Sequence, residues 1–146
     1  MKLPARVLSS TLKTSNGDPA IKIEVLKIAN CEKICIEFEN FREGWRQGIC
    51  LATHGLLLAA GLHAPQLHLW TDTAPKHVEI EIIETDGLLR FYNIWDSHRG
   101  LAPESQSASS GMFTEQLGTG ITRYRCNDIG LPATYSALTF QLSILS

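Results

Sequence analysis

The stretch 40–61, NFREGWRQGICLATHGLLLAAG, constrains the fold more than any other part of the chain. It is the one long segment that reads as helix, and strand-like sequence lies on both sides of it. Asn40 followed by Glu43 fits a capping box, in which each side chain satisfies an orphan backbone N–H. Gly61 suits the left-handed residue beyond a helix end, and Pro65 discourages continuation. At 100° per residue, Gly44, Gly48, Ala52, Gly55 and Ala59 share one narrow face where another backbone can approach closely. Trp45, Ile49 and Leu56 flank that face on one side, Leu51, Leu58 and Leu62 on the other. Each interior glycine costs about 1 kcal/mol relative to Ala, so packing across a sheet must hold this helix. A helix-dimer seam along the small residues is the alternative. The apolar run 49–62, interrupted by His54, is shorter than the roughly 20 residues a membrane helix needs.

Strand signals fill the rest. Residues 5–14 and 19–28 alternate around Asn16-Gly17, the favoured pair for a tight hairpin turn. With that tip, Leu12 faces Ile21, Ser10 faces Ile23 and Leu8 faces Val25. Ala29 to Glu32 reads as the next turn, and 33–39 alternates Ile34, Ile36 and Phe38 with polar positions. Three strands in a meander thus lead into the helix. A short strand at 66–71 follows it. Then Asp86-Gly87 separates 78–85 from 88–95, giving a hairpin with Ile82 opposite Phe91, Ile80 opposite Asn93 and Val78 opposite Trp95. Asn93 falls on the apolar face and needs a hydrogen-bond partner there. Residues 96–111, rich in Ser, Gly and Pro, form a long surface loop. Residues 112–117 and 121–127 make a third hairpin around Gly118-Thr119-Gly120. The last strand, 136–145, points Leu138, Phe140, Leu142 and Ile144 inward and tucks into the sheet.

The 146 residues form a single globular domain, 1–146, large enough for a real core. A net charge of −2 with both signs mixed argues against broad capture of nucleic acid or of anionic membrane. The N-terminus lacks the apolar stretch of a secretory signal. Cys31, Cys35, Cys50 and Cys126 show no framework spacing and read as reduced thiols in a cytoplasmic protein.

Two groups of residues could carry chemistry. His63, His68, Asp72 and His77 have the types of a zinc site, without a known ligand spacing. His68 and Asp72 on one strand would sit about 13 Å apart, too far for one ion unless the strand ends early. The second group follows two strand ends: Asp96, Ser97, His98 and Arg99 with Arg125, Cys126, Asn127 and Asp128. Asp96, His98, Arg99, Arg125, Asn127 and Asp128 are the candidate ligand contacts, and Cys126 with His98 is the candidate nucleophile pair. No nucleotide fingerprint, nucleophile elbow or cofactor motif occurs, so no cofactor is expected.

These readings predict an α+β fold of about nine mostly antiparallel strands with a helix over 40–61 packed on one face. An all-β sandwich or barrel is the alternative. The function expected is a non-enzymatic binding or protein-interaction module, homo-oligomeric, with a possible small-molecule ligand and no membrane or nucleic-acid partner. The competing expectation is a small enzyme, possibly a metal-dependent hydrolase, using loops 96–99 and 125–128.

Overall fold

The computed structural model describes residues 10–13, 19–107, 109–129 and 134–145. Among them there are ten strands and no helix. The strands are β1 (Ser10–Lys13), β2 (Pro19–Lys27), β3 (Lys33–Phe41), β4 (Arg46–Ala59), β5 (Leu62–Trp70), β6 (His77–Glu84), β7 (Leu88–Asp96), β8 (Gly111–Gly118), β9 (Ile121–Asn127) and β10 (Leu138–Leu145). Their order is β2-β7-β4-β6-β3-β10-β9-β8. Pairing of Ile21 with Met112 returns β8 to β2 and closes an eight-stranded antiparallel barrel. β1 adds to β2 and β5 adds to β4, off that circuit.

The α+β expectation is therefore overturned in favour of the all-β barrel. Residues 40–61 run as the end of β3, a bend and the whole of β4. Two physical reasons explain the misreading. Residues 47–51 are buried on both faces, so β4 shows a continuous apolar run instead of the alternation that marks a half-exposed strand. The glycines do admit a close backbone, but across a sheet: a Cβ on Gly48 would lie 2.5 Å from the carbonyl oxygen of Leu69. Gly61 is left-handed as expected (φ 79°). It follows Ala60 (φ 50°) in the two-residue turn that joins β4 to β5, where Ala59 faces Leu62. Asn40 caps nothing; its Oδ1 accepts the adjoining Phe41 N–H at 2.9 Å.

The pairing of β6 and β7 also differs from the hairpin expected around Asp86-Gly87. Residues 46–52 of β4 face 96–90, and 56–58 then face 84–81, so β6 and β7 follow one another along the same edge. On their other side, 24–27 of β2 face 91–88, and 33–37 of β3 face 81–77. Residues 19–41, 46–59 and 77–96 are thus three long strands, each bent near its middle. The meander expected for β2 and β3 becomes two halves of one such strand.

The bends coincide and turn the sheet through a corner, the role that bulges play in closed sheets. Ile28 N–H donates to Gly87 O at 3.0 Å and Cys31 N–H to Ile82 O at 2.7 Å, carrying the ladder around the bend. Thr85 N–H donates to Asn30 Oδ1 at 2.9 Å. The Thr53 hydroxyl donates to Leu88 O at 2.9 Å and lies 2.6 Å from the Thr85 hydroxyl. Asp-Gly supplies the unusual backbone geometry of a bulge as readily as that of a hairpin, which is why the sequence misleads here.

Other expectations hold. β1 and β2 form a hairpin with Ser10 opposite Ile23, although an irregularity places Leu12 opposite Ala20 instead of Ile21. The tip at Asn16-Gly17 and Leu8 lie outside the described residues. β8 pairs β9, and β10 is inserted between β3 and β9 with Leu138, Phe140 and Leu142 buried.

Side chains fill the barrel, as expected of eight strands. Tyr124 stacks on Phe140 with ring centroids 5.0 Å apart, and Phe91 meets Tyr124 edge-on at 5.1 Å. Each of these fully buried rings contributes about 2–3 kcal/mol by leaving water. Inside this aromatic layer the Tyr124 hydroxyl donates to the buried Glu24 carboxylate at 3.0 Å.

Candidate functional site

Polar side chains collect at one end of the barrel, where β3, β5, β7 and β9 finish and β4, β8 and β10 begin. Asp128 is fully buried there, just past β9. Its Oδ2 accepts from Arg42 Nη2 at 2.5 Å and from Gln47 Nε2 at 3.0 Å, tying together the starts of two loops and β4. Asn127 is equally buried, and its Nδ2 donates to Ser109 O at 2.8 Å. Asn93 meets the requirement set by its place on the apolar face: its Nδ2 donates to Asn127 O at 3.0 Å.

The loop after β7 is held by a second carboxylate. Glu104 is almost wholly buried and accepts from the Ser97 amide and hydroxyl, both at 2.7 Å, and from Arg99 Nη2. Burial by itself would raise this carboxyl, but the Arg99 guanidinium and the two Ser97 donors outweigh it and hold it at about 2. Asp96 Oδ1 accepts the His98 amide at 2.9 Å, and the His98 ring Nε2 meets Gly44 O at 2.9 Å, bridging two loops.

The second sequence-based group is thus partly assembled. Asp96, His98, Arg99, Asn127 and Asp128 share one end of the barrel, in two separate networks. Arg125 does not join them; it lies on the outer surface, 3.3 Å from Glu115. Cys126 faces the core and is fully buried, and burial pushes its thiol well above the usual range, which removes it as a nucleophile for the exposed His98. The histidine group is not brought together. Asp72 is gripped by Arg46 through two hydrogen bonds of 2.8 and 2.9 Å. His77 pairs with Glu37 at 3.3 Å, His68 bonds Gln66 at 3.0 Å, and His63 lies exposed on β5. Among the described residues no three His, Cys, Asp or Glu side chains are arranged to hold a metal.

Sequence reasoning did not bring the tryptophans together. The chain has three, and all fall at this end: Trp45 just before β4, Trp70 closing β5 and Trp95 near the end of β7. The Arg42 guanidinium sits 6.0 Å from the Trp45 ring centre and that of Arg46 4.4 Å from Trp70. Trp95 lines a pocket with Arg99. Each arginine also has its own carboxylate: Arg42 with Asp128, Arg46 with Asp72, Arg99 with Glu104. The available signal was positional, since every tryptophan stands at a strand end beside a charged residue or two positions from one.

The fold and this end define the molecule as a closed antiparallel barrel with a filled interior and a tryptophan–arginine surface at one mouth. No family model matches the chain, and neither a curated protein nor a solved structure matches it. Among the described residues, no helix is long and apolar enough to cross a membrane.

Proposed function

We propose that this protein is a non-catalytic interaction module, and that its working surface is the tryptophan end of the barrel, where it associates with a second copy of itself. The supporting observation is the gathering of half-buried Trp45 and Trp70 with their arginines on one mouth; Trp95 is buried and adds no surface. Trp and Arg are the residues that most often dominate binding energy at protein interfaces. Exposed Phe41 adds apolar surface alongside. The arginines are already matched by carboxylates, so the face is near neutral and suits a protein surface better than a phosphate or nucleic acid. The small-residue helix face that first suggested self-association does not exist, and the proposal rests on this mouth instead. The four free cysteines support a reducing, cytoplasmic setting.

Light scattering across the micromolar range tests the association. The mass should rise above the 16.2 kDa of one chain, and Trp70→Ala should return it to that value with little change in melting. A mass fixed at one chain throughout would overturn the self-association.

A further inference from the structure

The loop 97–107 and the end of β7 enclose a pocket of about 330 Å³, at the small end of the range for ligand sites. Its wall includes Trp95, Arg99, Leu101, Pro103, Glu104 and Ser107. Two of these carry buried polar atoms with no partner among the described residues: the indole Nε1 of Trp95, a residue only 1% exposed, and the hydroxyl of Ser107. An indole N–H sealed from water without an acceptor costs on the order of 1–3 kcal/mol, and buried tryptophans normally find one. The backbone of Trp95 is held on both sides, by Gln47 of β4 and by the Trp95–Glu104 bridge, whose two bonds measure 2.9 and 3.1 Å.

We propose that this pocket binds a small neutral molecule bearing a carbonyl-type acceptor and an aliphatic body. The indole N–H of Trp95 and the hydroxyl of Ser107 donate to the acceptor, while Leu101 and Pro103 cover the apolar part. Neutrality follows from the wall's charges. Glu104 and Arg99 already pair with each other, and Lys22, a cation beside the wall, donates to the Ser107 carbonyl, so a carboxylate in the pocket would have to draw Arg99 or Lys22 from its present partner. The site does not depend on association at the mouth, and either can fail alone.

The test follows the three indole N–H signals of the whole chain by proton–nitrogen NMR while N-acetyl-leucine amide is added, with the anionic N-acetyl-leucine as comparison. Trp45→Phe and Trp70→Phe assign those two signals and leave Trp95 by elimination, so no variant of the buried ring is needed. The expected result is a saturable downfield shift confined to Trp95 with the amide, and a weaker response to the acid. Ser107→Leu should abolish that shift and spare the fold, because the lost hydroxyl has no partner among the described residues. No movement of Trp95 with either probe would mean that the pocket holds water alone, and would overturn the site. Equal movement of all three signals would show surface adsorption and do the same. Stronger binding of the acid would overturn the neutral ligand class.

Discussion

A Cβ built on Gly55 lies 2.0 Å from the carbonyl oxygen of Glu84. The obstacle is backbone, at the corner where β4 and β6 bend together, and it cannot rotate away as a side chain would. Gly55→Ala must therefore open the corner or unpair the strands. The expected loss is about 3 kcal/mol or more in urea unfolding, at the upper end of what overpacking usually costs. Gly61→Ala provides the contrast: nothing lies within 4 Å of its would-be Cβ, and only the left-handed backbone is strained. That variant should lose about 1–2 kcal/mol.

Glu104 makes the fold sensitive to acid. Its folded carboxyl titrates at about 2, below the ordinary 4.5 of an unfolded glutamate. Between these values the unfolded chain takes up a proton that the folded chain refuses, so stability falls as pH drops from about 5 toward 2. Above that window the contribution is complete and flat. Glu104→Gln should flatten this part of the pH–stability curve and lower stability at neutral pH by about 2 kcal/mol, the scale of a lost charge-assisted hydrogen bond. Urea midpoints of both proteins across the acid range are the measurement.

Tyr124→Phe removes the hydroxyl that donates to the Glu24 carboxylate inside the barrel, at almost unchanged volume. A buried carboxylate that loses a donor destabilises by about 1–3 kcal/mol. Thermal unfolding should show that loss with the barrel otherwise intact.

The cysteines should react with a thiol reagent in a fixed order. Cys31 is exposed and goes first. Cys35 is half buried, and its thiol is raised by desolvation and by the charges of Glu37 and Glu79, so it follows slowly. Cys50 and Cys126 are buried with raised thiols and should react only on unfolding. Time-resolved mass spectrometry of the native protein reads this order directly; early labelling of Cys126 would mean that β9 does not face the core as described.

The sequence by itself determined where most strands lie and which side chains of β3 and β10 face inward, because a period of two is a local property of the backbone. It also placed the long polar loop and the left-handed backbone at Gly61, though as the end of a helix and not as a turn between strands. Only the tertiary structure decided that 46–59 is a strand. Burial on both faces erases the alternation that would have declared it, and a glycine admitting a backbone reads the same on a helix as in a sheet. Tertiary structure also decided that Asp86-Gly87 bends one long strand instead of reversing it, since a corner exists only where three neighbouring strands bend at the same level. The mouth is the same kind of fact. Trp45, Trp70 and Trp95 are far apart along the chain, and closure of the barrel is what sets them and their arginines side by side.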